Sequence, residues 1–440
     1  MHGALMNFAF LPDLLALTLL IVILILLRHR HPQERTNLWL LGLFITLVEA
    51  VAHTFYAHDG PPQRILHVIV MDCYLLAGMV FVWASGGYPL SATARLWYLS
   101  LNSLPLLALT TLYGLHFKAG TGYFLCIASG LVTGVASSLY LRRSWQLAAL
   151  HVCGWMAMGY LIHLGDYRSA VYWSLCCVYA TAALNFHRRL PSGSTGRIAI
   201  VTGFTIWALN LLLHPWIVNY RAYADIASHI WNMQKSLISL GMILVMLEEQ
   251  ISNNEWLALH DELTGLPNRR LFADRLQNAI ERCERTRSRM ALLILDLNGF
   301  KKINDTLGHQ AGDQVLREVS GNLRKGIRAS DTLARLGGDE FIIVATDAEQ
   351  DESMEHFVNS VRHAVERPII VEGRTMIMTA SLGTAIYPDD AHDSVRLLRI
   401  ADQRMYASKH RPTVSSSRGV PGLTTAAVDT AIAAIASGQN

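Results

Sequence analysis

Three carboxylates have the clearest capacity for chemistry in this 440-residue chain: Asp296, Asp339 and Glu340. The last two sit in RLGGDEFII, Arg335 to Ile343, between adjacent glycines and an apolar run. Two glycines joining short apolar segments predict a tight hairpin with positive φ, holding both acids stiffly at its tip. A hairpin needs no second acid, so the pair asks for a partner such as a metal ion. Asp296 ends the continuous apolar strand of MALLILDLNGF, Met290 to Phe300. An acid there serves as a metal ligand or catalytic acid, or equally as the cap of a strand-to-helix turn.

The elements between these acids must bring them together. KKINDTLGHQAGD, with Lys301, Asn304, His309, Gly312 and Asp313, reads as a polar loop. The helix after it, from about 314 to 327, keeps Val315, Leu316, Val319, Leu323 and Ile327 on one face. Strand, loop, helix and hairpin make a β-α-β-β run in which the hairpin lies beside the first strand, so that Asp296 and Asp339 approach. Paired carboxylates repel unless a cation sits between them, and hard oxygen ligands favour Mg²⁺. No GxxxxGK[ST] stretch is present to hold phosphates instead. Upstream, DELTGLPNRRLF (Asp261 to Phe272) reads as a turn entering a helix, preceded by a short heptad seam of Leu247, Ile251 and Leu257.

Composition divides the chain. Up to about residue 250 it is overwhelmingly apolar, whereas residues 255 to 410 hold most of the charge. A net charge of +3 with scattered basic residues gives no footprint for a nucleic-acid polymer. Six cysteines, none in CxxC spacing, argue against a disulfide or zinc framework. Apolar runs predict nine spans, near 8–27, 37–57, 65–85, 96–116, 122–141, 145–165, 168–187, 198–218 and 226–247. The first lacks a cleavage pattern and reads as an anchor. The ninth is interrupted by Asn232, Gln234 and Lys235. With the N-terminus outside, the inner loops carry nine arginines and the outer loops four basic residues, agreeing with the positive-inside rule. An odd number of spans then delivers the second half to the cytoplasm. Asp13, Glu49, His53, His67 and Asp72 fall in the outer halves of the first three spans. They form a ligand, metal or proton site, or a polar cluster that fixes helix packing.

Residues 259–411 resemble the GGDEF diguanylate cyclases, through DELTGLPNRR, DLNGFKKINDTLGHQAGD, RLGGDEF, SLGTAIYP and ADQRMYASK in order. The apolar runs give an α-helical transmembrane bundle (1–247) and the heptad seam a helical linker (248–260), and the resemblance implies an α+β palm-like, nucleotide cyclase-type catalytic domain with a central antiparallel sheet (261–411). A disordered tail with a short Ala-rich helix would follow (412–440). It implies a nucleotidyltransferase of the inner membrane, with its domain cytoplasmic, that condenses two GTP to cyclic di-GMP and two pyrophosphates as a homodimer. Mg²⁺, two ions per site, would be held by Asp296, the Leu297 carbonyl and Asp339. Asp339 would take the proton, with Glu340 supporting the cluster and Lys301 neutralising phosphate charge. Asn304 and Asp313 would read guanine, His309 would lie near the nucleotide or pack the loop, and Lys409 would touch phosphates.

Arg328 and Asp331 match the family's RxxD product-inhibition site; a surface Arg–Asp pair is the alternative. The chain departs from the family pattern at Asn298, usually an acid, and at Thr413, usually an arginine for which Arg411 could substitute. Those departures leave room for an inactive domain that serves as a cyclic di-GMP receptor. A transporter finds no support, because no internal repeat is visible.

Overall fold

Residues 11–30, 34–55, 61–85, 91–217, 220–346 and 351–410 are described by the computed structural model of the chain. They divide into two units, Met1–Gln250 and Ile251–Asn440. The side chains of Asp13 and Asn232 lie outside the described residues, as do Arg411, Thr413 and the whole of 412–440.

The apolar segments of the first unit are helices, which lets each satisfy its own backbone polar groups in lipid. They are α1 (Leu11–Arg30), α2 (Glu34–Thr54), α3 (Pro61–Ala84), α4 (Ala92–Gly114), α5 (Gly120–Tyr140), α6 (Trp145–His163), α7 (Tyr167–Arg189), α8 (Thr195–Ile217) and α9 (Arg221–Leu259). Among the described residues five are long and apolar enough to cross a membrane: Arg35–Thr54, Gln63–Ala84, Gly120–Tyr140, Tyr167–Arg189 and Thr195–Ile217. Among the described residues Leu14–His29 of α1 is a shorter apolar helix. Trp39, Leu75, Phe81, Tyr179, Phe204 and Trp207 pack the interior, while Leu125, Leu150, Tyr160 and Ile198 point outward. A lipid-facing exterior explains such exposed apolar side chains without invoking a partner.

The second unit begins within α9 and continues as α10 (Arg269–Thr286), β1 (Met290–Leu297), α11 (Phe300–Leu307), α12 (His309–Gly326), β2 (Thr332–Gly337), β3 (Glu340–Thr346), α13 (Asp351–Val365), β4 (Ile369–Val371), β5 (Arg374–Met376), β6 (Ala380–Tyr387) and α14 (Ser394–Lys409). A four-stranded sheet runs in the order β2-β3-β1-β6, and β1 is antiparallel to both β3 and β6. Every residue of β1 is buried, so its two faces feed two cores. Leu293, Leu295 and Leu297 join Val315, Val319 and Leu323 of α12. Leu292 and Ile294 join Phe272 and Leu276 of α10 and Leu397, Leu398 and Met405 of α14. The period-2 alternation of strands makes this division automatic, and it puts Asp296 on the α10/α14 side.

The structure corrects one element. The stretch expected to be a polar loop is helix α11, and α12 begins at His309 rather than near 314. Phe300, Ile303 and Leu307 follow helical spacing and pack into the core with α12. Gly299 and Gly308, at φ +73° and +86°, bracket that short helix.

Candidate active site

The site forms where β1 ends beside the β2–β3 hairpin. Gly337 and Gly338 take φ of +148° and +57°, as the adjacent glycines require, with an irregularity in register between Arg335 and Gly337. Asp296 and Glu340 are direct cross-strand partners on β1 and β3, and the Leu297 amide donates to the Asp339 carbonyl at 3.3 Å. Like charges opposite one another destabilise a sheet, and here both are buried, at 1% and 5% exposure. Burial first, then Asp296, Asp339 and Asp402, push the Glu340 carboxyl up to about 7, against a lowering effect of Arg269. Asp339 is also raised, by burial and then by Asp296.

Lys409, the last residue of α14, offsets part of this charge: its Nζ lies 2.7 Å from Asp296 Oδ1. Asp296 Oδ2 and Glu340 Oε2 remain buried without a hydrogen-bond partner. A buried carboxylate oxygen without a donor is costly, and a bound cation removes that cost. Among the described residues no three His, Cys, Asp or Glu side chains converge as a metal cluster. The set implied by the family resemblance needs two carboxylates and one backbone carbonyl, so the residues present fit a divalent cation.

The remaining candidates occupy separate positions. Lys301 is exposed on the first turn of α11. Asn304 lies on the same helix, its Oδ1 so close to Gly312 that a Cβ there would come within 1.9 Å. Asp313 follows Gly312 directly in α12. Gly312→Ala is therefore expected to displace Asn304 and raise the KM for nucleotide by about tenfold with kcat little changed, read from initial rates. His309 is exposed at the start of α12. Asn298 is engaged away from the carboxylates: its Oδ1 accepts from Ser381 Oγ at 2.8 Å and its Nδ2 donates to Thr379 Oγ1 at 3.2 Å. Arg328 is exposed, and Asp331 Oδ2 accepts from its backbone amide at 3.0 Å. Asp331 thus braces its own turn, and the two side chains form no ion pair.

Sequence reasoning gave no role to Asp261, Arg269, Arg335 or Asp402. Arg335 donates through Nε and Nη2 to the Gly338 carbonyl at 3.0 and 2.7 Å, and through Nη1 to both Asp261 oxygens at 2.9 and 3.0 Å. Burial works to raise Asp261, but hydrogen bonds from Thr264 and Arg335 outweigh it and hold the carboxyl below its ordinary value. Arg269 Nη2 donates to the Leu336 carbonyl at 3.2 Å. Two guanidinium groups thus grip the carbonyls flanking the double-glycine turn. The signal was available, because both arginines lie in the quoted DELTGLPNRR and RLGGDEF blocks.

The raised Glu340 carboxyl carries a pH dependence. Below pH 4.5 the group is protonated in folded and unfolded chains alike. From there to about 7 the unfolded chain ionises while the folded one keeps its proton, so cation-free stability falls across that window. A divalent cation favours the carboxylate. Its affinity is therefore expected to rise from about pH 6 to about pH 8, and Glu340→Gln should flatten that rise. Calorimetric titration of the full chain with Mn²⁺ checks both.

Comparison with known proteins bears on this geometry. Residues 258–414 match the family described as "Diguanylate cyclase, GGDEF domain". The chain is 31% identical over 296 residues to the cyclic di-GMP phosphodiesterase NbdA of Pseudomonas aeruginosa, covering 62% of this chain and 37% of that protein. It is 37% identical over 155 residues to the diguanylate cyclase TpbB of the same species, covering 35% of this chain and 36% of that one. The chain therefore spans little more than a third of either relative. A solved structure of the TpbB GGDEF domain is 38% identical, with 34% of this chain and 88% of that chain covered at a TM-score of 0.33. Residues 258–414 are a GGDEF domain of the diguanylate cyclase family, preceded in the chain by helices that are candidate membrane spans.

Proposed function

We propose that the chain is a membrane-bound diguanylate cyclase, condensing two GTP to cyclic di-GMP and two pyrophosphates. One observation carries this: Asp296 and Glu340 face each other across β1 and β3, with unpartnered buried oxygens, beside the Asp339 turn. Mg²⁺, two ions per site, would be held by Asp296, the Leu297 carbonyl and Asp339, clamping the phosphates and acidifying the attacking hydroxyl. Asp339 accepts the proton of a 3′-hydroxyl as its oxygen bonds the α-phosphorus of the other GTP and pyrophosphate leaves with the α–β bridging oxygen. Glu340 shares the carboxylate cluster. Lys301 neutralises charge on the phosphates, and Lys409 does so after leaving Asp296. His309 lies near the nucleotide.

Asn304 and Asp313 select guanine. An amide donates and accepts, and a carboxylate accepts from N1–H and the exocyclic amine, donors that adenine lacks there. One domain holds one GTP, so the working form is a homodimer. Arg328 and Asp331 take the product as an inhibitor, Arg328 by stacking on guanine and forking onto phosphate. The membrane unit lies in inner-membrane lipid, with the GGDEF domain in the cytoplasm. Incubating the membrane-embedded protein with Mg²⁺ and either GTP or ATP tests the reading. Cyclic di-GMP from GTP, with ATP unconverted, is the expected result.

Thr413, where the resemblance expects arginine, favours a second reading in which the domain binds cyclic di-GMP without making it. Binding of cyclic di-GMP that depends on Arg328, with no turnover of GTP, would establish that role instead.

A further inference from the structure

Two charges that a membrane segment should avoid are buried against each other in the first unit. Glu49 of α2 and Lys235 of α9 are 2% and 4% exposed, and Lys235 Nζ lies 2.5 Å from Glu49 Oε2. The ammonium also sits 5.9 Å from the Tyr74 ring centroid. One residue earlier, fully buried Gln234 accepts from Asn210 Nδ2 of α8 at 2.7 Å. Gln234 and Lys235, which interrupt the apolar run of α9, therefore tie it to its neighbours. Asp72, a further acid of the bundle, is taken by the hydroxyls of Thr110 and Thr111 at 2.6 and 2.9 Å.

Other contacts hold α9 farther along, and they differ in kind. Gly203 and Gly241 bring α8 and α9 close: a Cβ on Gly241 would meet the Ile200 amide nitrogen at 2.8 Å. Small-residue packing of this sort has no charge at stake. Glu248 caps the start of α8, accepting from the Thr195 amide at 2.8 Å and from the Ser194 hydroxyl. Arg35 and Glu249 pair at 2.6 Å but are 30% and 37% exposed, so water can replace either partner. The Glu49–Lys235 pair has no such exchange, because parting it strands two charges away from water.

We propose that Glu49–Lys235 is a register lock: it fixes α9 against α2, and the state of the lock sets the output of the GGDEF domain. The second clause rests on the cyclase reading and on α9 being one unbroken helix from Arg221 to Leu259. The first clause stands without it.

The test separates the two. In full-length protein with its native cysteines replaced by alanine, Thr36→Cys and Met246→Cys report the register. Thr36 Oγ1 and Met246 Sδ are 3.9 Å apart on α2 and α9. Oxidative crosslinking should be efficient in that background and fall at least about fivefold with Glu49→Gln or Lys235→Met. The charge-swapped double variant, Glu49→Lys with Lys235→Glu, which re-forms the pair, should restore it to within about twofold. Cyclic di-GMP production by the same charge variants, with native Thr36 and Met246, should change at least about threefold in both singles and return in the double. Crosslinking unchanged by either single substitution overturns the lock. A shifted crosslink with unchanged production overturns the coupling. Absence of product from the wild type itself overturns the cyclase reading and leaves the crosslinking result to decide the lock alone.

Discussion

Replacing Asp339 with alanine is expected to lower cyclic di-GMP formation by about a thousandfold or more, on the order of 4 kcal/mol of transition-state stabilisation. The carboxylate stands at the tip of the β2–β3 turn, half-buried, where burial and Asp296 both raise its pKa. It contributes to neither packed core, so its removal should leave stability within about 1 kcal/mol of wild type. The backbone bond from Leu297 N to Asp339 O does not depend on the side chain and persists. Product quantified by chromatography, alongside circular dichroism and a melting curve, separates lost chemistry from lost fold. Retention of more than a tenth of the activity would remove Asp339 from the reaction.

Arg335→Ala should damage fold and activity together. The guanidinium is 10% exposed and its partner Asp261 22%, and it also satisfies the Gly338 carbonyl. Its loss leaves Asp261 held by Thr264 alone and the Gly338 carbonyl without its guanidinium donor, a cost of about 1–3 kcal/mol. The turn that presents Asp339 then loses its brace, and displacing a reacting group by about an ångström costs on the order of a hundredfold in rate. Arg335→Lys keeps the charge but cannot fork between Gly338 and Asp261 at once, so it should fall between wild type and alanine on both scales. Denaturant midpoints and kcat check this. A full-rate, fully stable alanine variant would show that the turn holds itself.

These effects mark how far the sequence could be read. The hairpin and β1 were legible because a double glycine and an unbroken apolar strand each have few structural solutions. Helix α11 was not, since Lys301, Lys302, Asn304 and Asp305 hide the Phe300, Ile303, Leu307 face that buries it. The bond between Lys409 and Asp296 spans 113 residues and is made by a helix end no periodicity could aim. Lys235 was legible only as an interruption of the ninth span, for the same reason. In isolation it weakens a membrane span, and only the fold reveals that its counter-ion stands 186 residues upstream on α2. Local rules see the cost of a buried charge but not the distant partner that offsets it.

The claim that Asp296 and Asp339 share a divalent cation is tested most directly by electron paramagnetic resonance of Mn²⁺ bound to the full-length protein with a non-hydrolysable GTP analogue. A protein-bound Mn²⁺ signal is expected in the wild type and should weaken by at least about tenfold in both Asp296→Asn and Asp339→Asn. An undiminished signal in either variant, or none in the wild type, would contradict it.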